Sequence, residues 1–278
     1  MQRIVVDSGC DLSEEMKSGA MPYLEVVPLN LLVGEKQFVD DLDLDVAEYI
    51  EYMESHSGEG KTAAPSPELF FEAFKKAGDV FAVTLSSKLS GTYNSAMLAK
   101  QICLNEIGEK FIHVVDSLSA GIGETLIAMK INECIKNKFS NIEIIATVNR
   151  FISEMRTLFI LEKFDNLVNS GRLNSYVAKV ASILSIKLIC GDHEGEIVLV
   201  DKVLGYKKTI ARLIEIIQKH DLAFEERILG ITHVKCLERA LVFKDEILKK
   251  IDFKDVVICE ARGIIATYAQ KGGLLFSF

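Results

Sequence analysis

Several signatures of specialised chemistry are missing from this 278-residue chain. No run of lysine and arginine stands out, and 40 acidic residues against 32 basic ones leave a net charge of −8. Nucleic-acid binding rests on a cationic face, so no nucleic-acid partner is expected. CxxC pairs are absent as well. The six cysteines (Cys10, Cys103, Cys134, Cys190, Cys236, Cys259) are widely scattered and lack metal-ligand spacing. They read as reduced thiols in a cytoplasmic compartment, with no metal site expected. No segment approaches the ~20 apolar residues of a membrane span. The richest stretch, "VAKVASILSIKLIC", is broken by Lys179 and Lys187. The start, "MQRIVVDSG", meets Asp7 too early for a secretory signal.

Nucleotide and hydrolase motifs are missing too. There is no GxxxxGK[ST] loop, and "DSGCDLS" after the first apolar run offers one glycine where GxGxxG needs three. A G-x-S-x-G elbow is absent. His56, His113, His193 and His220 sit in a linker, a strand, a turn and a helix end; only His233, ending a strand in "GITHVK", is placed where a catalytic base could stand. What the chain has in quantity is apolar side chains, 49% of residues with a mean hydropathy of +0.22. Without a membrane span, that surplus belongs in a core or in the lining of an apolar cavity, and composition does not separate the two.

Short apolar runs alternate with amphipathic helical patterns, which predicts an α/β architecture. "RIVVDSG", "DVFAVTL" and "FIHVVDS" read as strands, the last two each followed by helical text, and so predict a mostly parallel sheet. "LEVVPLNLLVGEKQFVDD" reads as an extended stretch and a hairpin turning at Gly34-Glu35-Lys36, and "DVAEYIEYMES" as a helix. "SGEGKTAAPSPELF" reads as a linker, a proline-marked turn and a helix start at Ser66-Pro67-Glu68. After about Ile142 the pattern changes to hairpins and helices, including "IKLICGDHEGEIVLVDKVLG" with its turn over Gly191–Gly195, and ends in a glycine-rich tail. Two domains are expected, 1–150 with a mostly parallel sheet and 151–278 with a mixed α+β sheet.

The densest polar text is "LSSKLSGTYNSA", where Ser86, Ser87, Ser90, Thr92 and Ser95 crowd ahead of a helix. A loop that ends a sheet strand and opens a helix lies where open α/β sheets bind ligands. Unpaired helix N–H groups, the hydroxyls of Ser90 or Thr92, and a close backbone approach at Gly91 make an anion cup suited to a carboxylate or a lone phosphate. The other reading is a serine cap with the remaining hydroxyls solvated. Asp7-Ser8 and Asp116-Ser117, at two further strand ends, read as turn and capping residues. Arg172, after Gly171, reads as a helix-dipole partner or an anion ligand.

Taken in order, these pieces resemble the DegV family of bacterial fatty-acid-binding proteins, whose better-understood members are the acyl-carrying subunit of fatty acid kinase. The resemblance runs along nearly the whole chain: "IVVDSGCDLS", "VVPLNLLVGEKQFVDD", "KTAAPSPELF", "LSSKLSGTYNSA", "NLVNSGRLN" and "SIKLICGDHEGEIVLVDKVLGYKKTI". It implies a long-chain fatty acid held in a tunnel, with its carboxylate at Thr62, Ser90, Gly91, Thr92 and Tyr268. It also implies a head-group or partner-facing role for Arg172. The protein would have no catalytic residue and no cofactor, only the lipid as ligand. It would present the carboxylate to a separate ATP-dependent kinase subunit, with transient membrane contact open to it. Ala63 and Ala64 stand where the family has Ser and Gln, Tyr268 where it has histidine, and Gln270-Lys271 where it has other turn residues. Lys271 could supply the charge that Tyr268 lacks. The contrasting function is a small-anion enzyme, a phosphotransferase or hydrolase, using the same Ser-Gly-Thr loop.

Overall fold

Buried β-branched text drives the first sheet. In the computed structural model, which describes all residues except Glu14, Pro22, Ala77 and 175–185, β1 (Gln2–Asp7), β2 (Leu24–Val27), β6 (Asp79–Thr84) and β7 (Ile112–Asp116) form one sheet in the order β2-β1-β6-β7. All its pairings are parallel. Ile4, Val5, Val6, Phe81, Ala82 and Val83 are buried, as strands covered on both faces require. A small antiparallel sheet, β4-β3-β5, is made from β3 (Asn30–Val33), β4 (Lys36–Val39) and β5 (Lys61–Ala63). The third sheet is mixed, in the order β10-β9-β8-β13-β11-β12, from β8 (Thr157–Ile160), β9 (Ile186–His193), β10 (Glu196–Leu204), β11 (Ile228–His233), β12 (Asp255–Glu260) and β13 (Leu274–Ser277). Only β11 and β12 pair in parallel within it. The expected class, a parallel α/β part followed by a mixed α+β part, is the class observed. Most of "VAKVASILSIKLIC" lies outside the described residues.

Among the described residues the α-helices are α1 (Val46–Ser55), α2 (Pro67–Phe74), α3 (Thr92–Ile107), α4 (Ile122–Lys136), α5 (Asn141–Glu154), α6 (Asp165–Asn169), α7 (Tyr206–Gln218), α8 (Leu237–Leu248) and α9 (Gly263–Ala269). Their starts carry local chemistry. The Asp45 carboxylate accepts from Ala47 N and Glu48 N, and Ser140 with Glu143 forms a capping box. α4 lies between the two larger sheets, touching β1 and β6 on one side and β11 and β13 on the other. Its approach to β11 is close enough that a Cβ at Gly230 would sit 2.4 Å from Ile122 Cγ1.

Three expectations change. The "KTAAP" stretch contains β5, which covers the second edge of β3 with Leu31 opposite Thr62; three short residues carry no alternation that would announce a strand. The turn expected over Gly191–Gly195 narrows to Glu194-Gly195, at φ +50 and +84°, because β9 stays paired through His193 to Glu196. The glycine-rich tail is α9 followed by β13, an interior strand of the mixed sheet.

Buried acids join the halves. Asp7, at the end of β1, accepts from Gly9 N (2.7 Å) and Leu85 N (2.8 Å). Asp11 accepts from Thr232 Oγ1 and Arg262 N, both at 2.7 Å, and so ties the first sheet to the end of β11 and the start of α9. Asp116 Oδ1 accepts from Ser87 N and Leu118 N, and Ser117 Oγ from Ser119 N, the turn roles read from sequence. Burial pushes Asp7 and Asp11 up to about 7, and holds Glu124, with both their charges nearby, well above the usual carboxylate range. Such a group binds its proton more tightly folded than unfolded, so its contribution is complete at acid pH and is lost as pH rises through about 7. Thermal unfolding followed by circular dichroism should therefore show a higher midpoint at pH 6 than at pH 8. Glu124→Gln, which removes the ionisable neighbour, should flatten that dependence.

Candidate ligand cavity

The hydroxyl-rich loop after β6 divides its work. Ser86 Oγ donates to Gly195 O (2.8 Å) and accepts from Lys88 N, which pins the loop to the β9–β10 turn of the other half. Ser95 Oγ donates to Pro65 O at 2.7 Å, which fastens α3 to the segment after β5. These two hydroxyls are structural. Ser90 is different: its Oγ lies 2.8 Å from Thr92 Oγ1, accepts from Thr92 N at 3.3 Å, and lines a cavity. Neither Ser86 nor Ser95 caps α3, whose start at Gly91 has no side-chain cap.

That cavity has a volume of about 100 Å³ and opens to the surface. Its walls are mostly apolar, with Leu85, Leu89, Leu118, Phe159, Ile264 and Leu275 among them. One end carries Thr62, Ser90, Arg172 and Tyr268. Thr62 Oγ1 and Tyr268 Oη share a 2.7 Å hydrogen bond between β5 and α9. Arg172 Nε donates to Leu89 O (2.6 Å), and its guanidinium lies 4.9 Å from the Tyr268 ring centre. Gly91 and Thr92 do not line the cavity: Gly91 is exposed at the start of α3, with Ala64 Cβ 3.8 Å from where its own Cβ would stand, and Thr92 is fully buried behind Ser90.

Along β8 and the residue after it, Thr157, Phe159 and Leu161 alternate onto the cavity face, spanning about 13 Å at about 3.3 Å per residue. Ser119, Thr157 and Asp192 lie at the end away from Tyr268. Ser119 Oγ, Thr157 Oγ1 and Ser277 Oγ form a chain with links of 2.8 and 2.9 Å, and Thr157 N donates to Asp192 Oδ1. Burial raises the Asp192 carboxyl. Sequence reading missed this end: Thr157 and Ser119 are signalled only by strand alternation and by the "DSLSAG" turn. No group of acidic, cysteine or histidine side chains among the described residues could hold a metal ion, and none of the five histidines lines the cavity.

A parallel sheet and a mixed sheet enclosing an apolar cavity with a hydroxyl-and-arginine end define a class of proteins, and comparison gives that class its name. The profile described as "Uncharacterised protein, DegV family" matches residues 1–278, and the chain belongs to the DegV family. It is 35% identical over 277 residues to a DegV domain-containing protein of Streptococcus gordonii, covering 99% of this chain and 98% of that one. Among solved structures it resembles a Ruminococcus gnavus DegV family protein refined with vaccenic acid (TM-score 0.94, 33% identity, 100% and 99% of the two chains). It also resembles the Streptococcus pneumoniae Fatty Acid Kinase (Fak) B3 protein loaded with linoleic acid (TM-score 0.92, 31% identity, 100% and 99%).

Ser86→Ala should cost about 1–2 kcal/mol in urea unfolding, since it strips a buried carbonyl of its donor. Ser87→Ala, at a half-buried position, should change stability by less than about 0.5 kcal/mol.

Proposed function

We propose that this protein carries a long-chain fatty acid in the cavity, with the acyl chain along β8 and the carboxylate among Thr62, Ser90 and Tyr268. One observation carries the reading: a mostly apolar cavity, open at its mouth, has hydroxyl donors and an arginine gathered at one end. Burial of each methylene contributes about 0.8 kcal/mol, so a long chain supplies most of the affinity and the polar end supplies orientation. The Thr62–Tyr268 and Ser90–Thr92 pairs can each turn a hydroxyl proton toward a carboxylate oxygen. Gly91 leaves room for the chain's entry into α3, and Thr92 acts through Ser90. Arg172, held against Leu89 O and the Tyr268 ring, faces the head group or a partner. That the solved relatives from R. gnavus and S. pneumoniae hold fatty acids supports the ligand class.

The protein would perform no chemistry of its own. In this reading it works in the cytoplasm, presents the carboxylate to a separate ATP-dependent kinase subunit and feeds phospholipid synthesis; residues 1–150 supply the carboxylate loops and residues 151–278 the rest of the tunnel. The kinase partner is inferred from the relative's designation as a fatty acid kinase protein. No helix among the described residues is long and apolar enough to cross a membrane.

Titration with palmitate tests the placement. Ser90→Ala should weaken binding several-fold and Ser95→Ala should leave it near the wild-type value. Ala120→Phe, which puts a ring into the middle of the cavity, should abolish binding while the protein stays folded. Equal effects of the two serine variants would contradict the assigned end.

A further inference from the structure

Asp40 touches none of the cavity, yet its carboxylate holds the start of the helix that carries Tyr268 into the cavity's hydroxyl end. Its side chain is wholly buried and follows β4 directly. Its Oδ1 and Oδ2 accept from Gly263 N (3.0 Å) and Ile264 N (2.8 Å), the first amides of α9. A carboxylate distant in sequence thus caps the helix that lacks a side-chain cap of its own. Arg262, only 6% exposed, donates from Nη2 to Asp40 O (2.8 Å) and Asp41 O (2.7 Å) and lies 3.6 Å from Asp40 Oδ1. Packing leaves no slack, for a Cβ at Gly263 would meet Leu31 Cδ1 at 2.6 Å and Asp40 Oδ1 at 2.9 Å.

The two bodies joined here are the ones that carry the hydroxyl pair. Leu31, packed on Gly263, is the β3 residue opposite Thr62. α9 carries Ile264, Ile265, Tyr268 and Ala269 into the cavity wall. At the far end of α9, Tyr49 Oη lies 2.6 Å from Thr267 Oγ1, and Asn166 Nδ2 donates to Thr267 O. α9 is therefore held at both ends, and the small sheet bearing Thr62 is held to its first turn.

We propose that Asp40 is a positioning residue for the head-group end of the cavity: with Arg262 it fixes α9 against the β3–β5 sheet, and so sets the Thr62–Tyr268 geometry that receives a carboxylate. This rests on the fatty-acid reading above. Its action on the carboxylate runs through Tyr268, so its loss harms recognition of the carboxylate more than contact with the acyl wall, to which α9 also contributes Ile264 and Ile265.

The test is calorimetric titration of palmitate and methyl palmitate into the wild type, Asp40→Asn, Tyr268→Phe and the double variant. Asp40→Asn should weaken palmitate about tenfold, the scale of one charge-assisted hydrogen bond, and change the methyl ester less than about twofold. In the Tyr268→Phe background it should add less than about twofold for palmitate, because the residue it positions is already disarmed. Equal losses for acid and ester, or independent multiplication of the two variants, would overturn the proposal. Should Asp40→Asn fail to fold, Arg262→Gln, which removes the donors to Asp40 O and Asp41 O, must give the same preference for harming the acid. If palmitate fails to bind even the wild type, the fatty-acid reading itself falls; loss confined to the comparison of acid with ester overturns the role of Asp40 alone.

Discussion

The hydrogen bond between Thr62 and Tyr268, 206 positions apart, is the constraint around which the structure is arranged. Polar groups bordering an apolar cavity are costly unless they find partners, and here each is the other's partner. To keep them 2.7 Å apart, a three-residue strand from the first half must meet a short helix from the last tenth of the chain. Neither element is stable alone. The contacts that hold them, from Asp40, Arg262, Tyr49 and Asn166, are buried and mostly reach backbone atoms.

The same economy joins the halves elsewhere. Ser86 fastens the loop after β6 to Gly195, at φ +84°, where a Cβ would stand 2.5 Å from Ser86 Oγ. Asp11 bridges the start of the chain to β11 and α9. The cavity is thus walled by elements from both halves, each tied by a polar contact outside the apolar lining. A ligand that fills the cavity adds apolar burial to a frame already satisfied in its hydrogen bonds.

Much of this frame is legible in the residues. The parallel strands follow from short buried runs, and the loop at Ser90 follows from a strand running into a helix start. The loop chemistry singles out Ser90 and Arg172, resemblance to the DegV family adds Thr62 and Tyr268, and the fold brings all four to one cavity. Gly91 and Thr92 stand beside it, one exposed and one buried, because the helix start turns them away from the lumen. What could not be read was whatever depends on distant partners. β5 is a strand only because β3 offers an edge. α9 looks like a glycine-rich tail until Asp40 caps it. The hydroxyl chain through Ser119, Thr157 and Ser277 joins three segments with no common motif.

The excess of apolar residues, read from composition as core or cavity lining, proves to be both: large buried clusters and an apolar chamber with one orienting end. Whether that chamber holds a lipid is tested most directly by mass spectrometry of an organic extract of the purified protein, before and after incubation with a mixture of long-chain fatty acids. The account predicts a single class of long-chain fatty acid recovered in stoichiometric amount. Protein that carries no fatty acid, and takes none up from the mixture, would contradict it.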